Sequence, residues 1–237
     1  MAFQPIVDLK QGRIWGYEAL VRGLDYQPAS HVLDQVDDES VYTFDQACRV
    51  KAIELAGASL PRDGRTKLSI NFKPNAVYEP AACIRTTLEA ASRAEIDLSQ
   101  LMFEFTEDEQ MRDVDHLRKI IAAYQNFGFT IALDDFGAGF AGLSLLSDFQ
   151  PDLIKLDMAV IRGIDRCIAR QTIVHSIVEM TAALGVTCLA EGIETREEAK
   201  FVRELGIDLC QGFYFAKPST GAFRHLRFEE LSGSGSA

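Results

Sequence analysis

The sequence predicts an α/β fold, a modified (β/α)8 barrel of the TIM type whose first strand is antiparallel to the second. The chain has 237 residues, and a single barrel of this type typically has about 250. About eight short apolar segments alternate with segments of helical periodicity, which is the pattern of strands joined by crossover helices. The first two strand segments are joined only by the turn 10–13, whereas a parallel crossover needs about a dozen residues or more.

An open doubly wound sheet is the alternative architecture. Such a sheet normally carries a glycine-rich phosphate-binding loop after its first strand. No loop of this kind follows the first strand segment of this chain. The barrel is therefore the better prediction.

The hairpin at the start of the chain consists of predicted strands over 3–9 and 14–21. Its antiparallel pairing places Gln4, near the start of the first strand, beside Glu18, near the end of the second. A polar loop with one helical turn is predicted over 25–38. The first long helix is predicted over 39–58, where apolar residues recur at helical spacing.

Strands and helices alternate through the remainder of the chain. The predicted strands cover 68–72, 101–105, 129–134, 153–156, 186–190 and 209–215. The predicted helices cover 79–94, 113–127, 173–184 and 196–205, and a short segment of unassigned type lies around 143–149. We predict one domain over 1–230, followed by a flexible Ser/Gly tail over 231–237.

Charge and cysteine content exclude several classes of protein. The net charge of −11 argues against a nucleic-acid polymer as partner, because such a surface needs clustered lysine and arginine. A small anionic ligand remains possible where metal ions invert the local field. The five cysteines are scattered without a CxxC pair, which favours reduced thiols in a cytoplasmic protein. No apolar run is long enough for a membrane span, so no membrane insertion of this segment is expected.

The stretch 129–139 carries the strongest chemical signal. A strand of β-branched and apolar residues ends in Asp134 and Asp135, followed by Gly137-Ala138-Gly139. Two adjacent carboxylates are costly to bring together unless a cation or a proton lies between them. Since side chains alternate along a strand, Asp135 can turn towards Asp134 only if the strand stops there, which the glycines permit. Taken alone, the stretch is equally consistent with a solvated loop.

The same alternation places an inward polar group near the carboxyl end of each predicted strand. In a barrel those ends converge on one mouth, where active sites lie. The groups predicted to form an acidic, oxygen-rich ring are Glu18, Asn71, Glu104, Asp134, Asp135 and Glu191.

Oxygen ligands without cysteine or histidine select hard cations such as Mg²⁺ or Mn²⁺. Five carboxylates are too many for one such ion, so we predict two ions roughly 3.5–4 Å apart and bridged by Asp134. The alternative is a set of structural salt bridges, for which Lys155 and Arg22 are the only obvious inward partners.

Two basic residues have both a functional and a structural interpretation. In a two-metal site Lys155 could orient or help deprotonate a metal-bound water, or it could balance the charge of Asp157 or Glu191. Arg22, just beyond the second strand, suits bidentate binding of a phosphate, and it is equally consistent with an exposed loop arginine.

The ordered motifs resemble the EAL domain, the family of cyclic di-GMP phosphodiesterases. The matching motifs are Gln4-Pro5-Ile6, Glu18-Ala19-Leu20, Asn71, Glu104-x-Thr106-Glu107, Asp134-Asp135-Phe136-Gly137, Lys155-Leu156-Asp157, Glu191-Gly192-Ile193-Glu194, Gln211-Gly212 and Lys217-Pro218. The resemblance implies a barrel with one antiparallel strand. It also implies hydrolysis of one phosphodiester bond of cyclic di-GMP, which gives linear pGpG.

The resemblance also implies roles for individual residues. One metal is expected on Glu18, Asn71, Glu104 and Asp134, and the second on Asp134, Asp135 and Glu191. A bridging water is expected to attack phosphorus in line, with Lys155 assisting, and Glu191 acts as ligand, general base or both. The residues expected around the dinucleotide are Gln4, Arg22, Asp157, Glu194 and Gln211, and Glu107 is expected to brace the loop after Asp135.

One loop departs from the pattern of the family. Residues 137–142 read Gly-Ala-Gly-Phe-Ala-Gly where Gly-Thr-Gly-Tyr-Ser-Ser is usual, and the lost hydroxyls could alter metal affinity, dimer coupling or regulation. The resemblance implies a homodimer through the region after Asp135 and a fused or separate sensor domain. The alternative function is a non-catalytic cyclic di-GMP sensor or regulatory module, but such degenerate members are expected to lose ligands that this chain retains.

Overall fold

The computed structural model describes residues 1–77, 79–106, 113–139, 142–221, 223–224 and 226, the side chains of residues 81 and 82 excepted. Three predictions fall on other residues. Glu107, part of the altered loop (residues 140 and 141) and the tail 231–237 lie outside the described part of the chain.

A closed barrel of eight strands forms the centre of the molecule. The strands are β1 (Ala2–Asp8), β2 (Arg13–Leu20), β3 (Lys67–Asn71), β4 (Leu101–Thr106), β5 (Thr130–Phe136), β6 (Leu153–Leu156), β7 (Thr187–Ala190) and β8 (Leu209–Cys210), with a short β9 (Ser219–Thr220) beside β1. Neighbouring strands from β2 to β8 are parallel, and β1 closes the barrel by antiparallel pairing with both β2 and β8. The predicted fold class is confirmed, and Gln4 pairs with Glu18 as expected.

Helices connect successive parallel strands and cover the outside of the barrel. They are α1 (Ala29–Leu33), α2 (Val41–Ala56), α3 (Pro80–Cys83), α4 (Arg85–Ala94), α5 (Val114–Asn126), α6 (Gly142–Asp148), α7 (Met158–Ile161), α8 (Ile168–Leu184) and α9 (Arg196–Glu204). None of these described helices combines the length and apolar character that crossing a bilayer requires.

The final strand is shorter than predicted. The expected strand over 209–215 ends at Cys210, because the chain turns at Gly212 and packs against Ile193. A Cβ atom on Gly212 would overlap the Ile193 backbone, and the amides of Phe215 and Ala216 donate to the Gly212 carbonyl. This turn removes the segment from the sheet.

The core has two layers that follow from the alternation of side chains along the strands. Inside the barrel, a small apolar cluster is formed by Ile6, Met102, Ala132, Leu153, Leu189 and Leu209. Outside it, a larger apolar layer lies between the strands and the helices, where the buried Arg49 pairs with Asp45 and donates to the Tyr124 hydroxyl over 2.7 Å. The inner cluster fills the barrel beneath its carboxyl-end mouth, so the polar side chains at that mouth lie directly above a layer of apolar side chains.

Candidate active site

Lys155 lies at the centre of a group of carboxylates in the mouth of the barrel. Its side chain is 1% exposed, and Nζ is 2.8 Å from Glu191 Oε1, 3.0 Å from Asp134 Oδ1 and 3.1 Å from Glu104 Oε2. Glu18 Oε1 is 4.0 Å away. We call these four carboxylates, together with Asp135, the acidic ring. The nearness of Glu191 agrees with one of the two charge-balancing roles predicted for Lys155.

Successive strands deliver these side chains because each carries one inward polar group near its carboxyl end. Glu18 lies on β2, Glu104 on β4, Asp134 on β5 and Lys155 on β6, and Glu191 directly follows β7. Asn71, the last residue of β3, is in register with Glu104. The two-residue period of the strands therefore accounts for most of the ring.

Asp135 reaches the ring by a route that differs from the expected one. The strand does not stop at Asp134 but continues to Phe136. Instead, the β5–β6 register shifts between Leu133 and Phe136, and Asp135 itself has the left-handed backbone angle φ of 54°. Such an angle costs a non-glycine residue roughly 1–3 kcal/mol, and it brings the Asp135 carboxylate to the same side as Asp134 and Glu191.

Neutral side chains orient the carboxylates of the ring. Gln211 Nε2 donates to Glu18 Oε2 over 2.6 Å. Asn71 Nδ2 donates to Glu104 Oε1 over 2.8 Å and to Glu18 Oε1 over 3.4 Å, and Ser69 Oγ donates to Glu104 Oε2. As a metal ligand, Asn71 would present Oδ1 to the ring, which a half-turn of the amide achieves.

The ring contains two groups of carboxylates that are each compact enough to hold a metal ion. One consists of Glu18, Glu104 and Asp134, and the other of Asp134, Asp135 and Glu191. Within each group the ligand oxygens lie within 4.8 Å of one another. Asp134 belongs to both groups, which is the arrangement that a bridging carboxylate requires.

Burial and crowding of like charges perturb the titration of the ring. Burial raises the pKa of Glu104 and of Glu191 well above the ordinary values, and the nearby Lys155 ammonium offsets only part of the rise. Burial and the Asp134 carboxylate raise the pKa of Asp135 to about 6. Burial alone would lower the pKa of Lys155, but the surrounding carboxylates outweigh it and hold that pKa well above the usual range. A cation bound beside Glu104, Glu191 and Asp135 would therefore favour their ionised forms.

A cavity of about 430 Å³ lies above the ring and is open to solvent. Of the residues predicted to surround a dinucleotide, it is lined by Gln4, Asp157, Glu194 and Gln211. Arg22 is not among the lining residues, and its Nη1 donates to the adjacent Val21 carbonyl over 2.6 Å. The structure thus brings four of the five to one cavity.

Two of these residues also have structural contacts. Asp157 caps the start of α7, where its Oδ1 accepts from the Ala159 amide over 2.7 Å. Gln4 Nε2 donates to the Ala216 carbonyl over 3.1 Å, which ties β1 to the turn after β8. Both side chains keep polar atoms at the wall of the cavity.

The cavity also contains residues that the sequence did not point to, chiefly Arg162 and Phe213. Arg162 follows the four-residue helix α7, which is too short to show a hydrophobic period. Phe213 falls in the segment predicted as strand. No pattern in the sequence distinguishes either residue from an ordinary surface position.

The sequence profile of the EAL domain matches residues 1–218. The chain belongs to the EAL domain family. This EAL domain is 34% identical over 230 residues to the blue light- and temperature-regulated antirepressor BluF of Escherichia coli, covering 97% of this chain and 56% of BluF. It is 30% identical over 224 residues to the cyclic di-GMP phosphodiesterase PA2567 of Pseudomonas aeruginosa, covering 92% of this chain and 38% of that protein. The EAL domain thus spans about half or less of the length of these relatives.

Two solved structures are similar to the EAL domain along nearly its whole length. A standalone EAL protein of Vibrio cholerae O395 in its c-di-GMP-bound form has a TM-score of 0.92 and 46% identity, covering 99% of this chain and 97% of that one. BlrP1 of Klebsiella pneumoniae with manganese and c-di-GMP at pH 6 has a TM-score of 0.87 and 35% identity, covering 95% of this chain and 57% of that one. A calcium complex of BlrP1 with c-di-GMP is equally similar.

Proposed function

We propose that the chain is a metal-dependent phosphodiesterase that hydrolyses one phosphodiester bond of cyclic di-GMP and releases linear pGpG. The observation that carries this proposal is the pair of carboxylate groups that share Asp134 beneath an open cavity. The relatives support it, because PA2567 is named as a cyclic di-GMP phosphodiesterase and the V. cholerae protein binds c-di-GMP.

The donor set of the ring fits divalent cations. All of its ligand atoms are carboxylate or amide oxygens, which suit Mg²⁺ and Mn²⁺. Among the described residues, Lys155 is the one cation in contact with the ring. Burial is the largest cause of the raised pKa values of Glu104, Glu191 and Asp135, and neighbouring carboxylates add to the rise. Further positive charge would therefore stabilise the ionised ring.

We assign the two sites as the resemblance to the EAL domain implies. Two divalent cations, when bound, would neutralise the phosphate charge and acidify a water molecule. The residues assigned to the first are Glu18, Asn71, Glu104 and Asp134, and those assigned to the second are Asp134, Asp135 and Glu191.

Two side chains of the protein, Lys155 and Glu191, supply the charge stabilisation and the proton transfer. Lys155 is held as an ammonium by the carboxylates around it, so it orients and neutralises oxygens and does not accept a proton. Of the four carboxylates that contact Lys155, Glu191 is the most exposed to solvent. It also lines the cavity. We infer that it takes one proton from an attacking water as the new P–O bond forms, while the P–O bond to the 3′ oxygen breaks and that oxygen is protonated from solvent to leave as a hydroxyl group.

A second candidate function is a cyclic di-GMP sensor or regulatory module without turnover. The observation that favours it is the similarity to BluF, which is named as an antirepressor. The altered loop after Asp135 points the same way, since Ala138 replaces a usual threonine. All five carboxylates expected as metal ligands are nevertheless in the ring, which favours catalysis.

A hydrolysis assay separates the two functions. Purified protein with Mg²⁺ or Mn²⁺ is expected to convert cyclic di-GMP to pGpG, as followed by chromatography of the nucleotides, and excess chelator should stop the reaction. Ca²⁺ is expected to bind but to support poor turnover, because its looser coordination holds a phosphoryl group less well. Tight binding of cyclic di-GMP without any pGpG would favour the sensor.

Two expectations about partners belong to the same proposal. A homodimer through the region after Asp135 is supported by an apolar groove of about 520 Å³ between that loop, α6 and α8, in which Leu143 and Ile173 are exposed. A fused or separate sensor domain is supported by the greater length of BluF and PA2567.

A further inference from the structure

A buried ion pair on the outer side of the barrel takes no part in the chemistry assigned to the acidic ring. Asp45 and Arg49 lie one turn apart on α2, and Arg49 Nη2 is 2.5 Å from Asp45 Oδ2. Their side chains are 3% and 0% exposed. Burial removes both charges from water, and apolar side chains of similar volume often stabilise a fold at least as well. Stability alone therefore does not account for the pair.

Three aromatic rings surround the Arg49 guanidinium. Its Cζ atom lies 5.3 Å from the ring centroid of Phe72, 5.5 Å from that of Phe103 and 5.9 Å from that of Tyr124. Arg49 Nη1 also donates to the Tyr124 hydroxyl over 2.7 Å. All three aromatic side chains are at most 3% exposed. A desolvated guanidinium is attracted to aromatic faces and stacks on them, so Arg49 holds the rings in a fixed arrangement.

Two of the rings are sequence neighbours of residues assigned to the first metal. Phe72 directly follows Asn71, and Phe103 directly precedes Glu104. Because side chains alternate along a strand, the two rings face outward where Asn71 and Glu104 face the barrel mouth. Asn71 and Glu104 are in register between β3 and β4, and the Phe72 amide donates to the Glu104 carbonyl over 2.9 Å. Arg49 therefore packs behind the two strands where they carry these ligands.

Asp45 adds a contact to the backbone directly after β3. Its Oδ1 accepts from the Lys73 amide over 2.9 Å, two residues beyond Asn71, while its Oδ2 pairs with Arg49. One carboxylate thus ties α2 to the carboxyl end of β3 and also holds the guanidinium against the rings.

We propose that Arg49 and Asp45 are positioning residues for the first metal site, an assignment that rests on the proposed function. They fix the carboxyl ends of β3 and β4, so that Asn71 and Glu104 keep the spacing that a divalent cation requires. Residues that orient metal ligands directly typically change metal affinity by about 10–100-fold when they are substituted. Arg49 and Asp45 act through the backbone and the aromatic rings, so we expect an effect at the lower end of that range.

The test is the double variant Asp45→Asn/Arg49→Met, titrated with Mn²⁺ by calorimetry. Its net charge is unchanged, and the asparagine keeps an acceptor for the Lys73 amide. In chelator its urea midpoint should equal or exceed that of the wild type, because the buried charges are gone. One of the two Mn²⁺ dissociation constants should rise by about 10-fold, and the other should stay within about twofold of the wild-type value. A pair that only filled space would change neither constant of the folded protein.

The matched control is Glu54→Gln/Arg93→Met. This ion pair joins the same helix α2 to α4 at 3.3 Å, but its side chains are 47% and 58% exposed. The control makes the same change of charge on a solvated surface, so both Mn²⁺ dissociation constants and the urea midpoint should stay near the wild-type values.

Arg49→Lys separates the planar guanidinium from the positive charge. The lysine keeps a cation beside Asp45, so the fold should be retained, but it cannot stack on Phe72 and Phe103 as a planar group does. The same Mn²⁺ dissociation constant should rise by about 3–10-fold. Wild-type affinity for both ions in either folded variant would overturn the proposal. If the double variant does not fold in chelator, the Arg49→Lys titration decides alone.

The outcomes also distinguish this inference from the proposed function. A wild-type protein that forms pGpG, together with a double variant that binds both Mn²⁺ ions as tightly, would leave the phosphodiesterase standing and overturn the positioning role. A wild-type protein that binds two Mn²⁺ ions, one of them weakened in the double variant, but forms no pGpG would support the positioning role and contradict the phosphodiesterase. A wild-type protein that binds no Mn²⁺ would contradict both.

Discussion

Asp134→Asn is expected to lower kcat for cyclic di-GMP by at least about 10³-fold, since a shared metal ligand contributes several kcal/mol of transition-state stabilisation. Asp134 is the one residue common to both carboxylate groups, so its loss should weaken both assigned metal sites. The substitution should not destabilise the metal-free protein. Burial raises the pKa of Asp134, which means that its ionised form costs stability at neutral pH, and the neutral amide removes that cost.

The control for this variant is Asp208→Asn. Asp208 precedes β8 at the opposite end of the barrel, where it forms a long, exposed pair with Lys10 at 3.9 Å. Its substitution should leave turnover near the wild-type value and change the free energy of unfolding by less than about 0.5 kcal/mol. Retention of turnover by Asp134→Asn would show that Asp134 does not bridge two ions.

Lys155→Met is expected to lower the free energy of unfolding of the chelated protein by about 3–5 kcal/mol, the usual cost of removing one partner from a buried ionic cluster. Met is close to Lys in length, so packing is largely kept. The loss arises because Nζ contacts Glu104, Asp134 and Glu191 within 3.1 Å. Addition of Mn²⁺ should narrow the difference from the wild type, because bound cations supply the missing positive charge.

Urea unfolding followed by circular dichroism, with and without Mn²⁺, measures both effects. The matched control is Lys200→Met, since Lys200 forms an exposed pair with Glu204 at 3.7 Å that should contribute less than about 1 kcal/mol. A Lys155→Met protein as stable as the wild type in chelator would mean that the carboxylates do not depend on the ammonium for charge balance.

Much of the architecture could be predicted because its signals are local. The short turn at 10–13 was sufficient to reverse β1, and the two-residue period placed Glu104 and Lys155 inward. These side chains meet because parallel strands of one barrel end at one mouth. The alternation of inward and outward side chains repeats from strand to strand, so it can be recognised in the sequence alone.

Other features depend on backbone geometry that sequence patterns do not carry. Asp135 turns inward through its own left-handed backbone rather than by an early end to β5. The segment after Cys210 leaves the sheet because Gly212 packs tightly on Ile193, a contact between distant turns. Arg162 lines the cavity from the end of a four-residue helix. A helix of this length is too short to show a hydrophobic period in the sequence.

The most direct test of two-ion binding in the acidic ring is the manganese anomalous signal from crystals of the wild-type protein soaked in Mn²⁺. Two anomalous peaks are expected in the mouth of the barrel, one beside Glu18 and Glu104 and the other beside Asp135 and Glu191, with Asp134 in contact with both. A single peak, or peaks remote from Asp134, would contradict the assignment of two ions to the acidic ring.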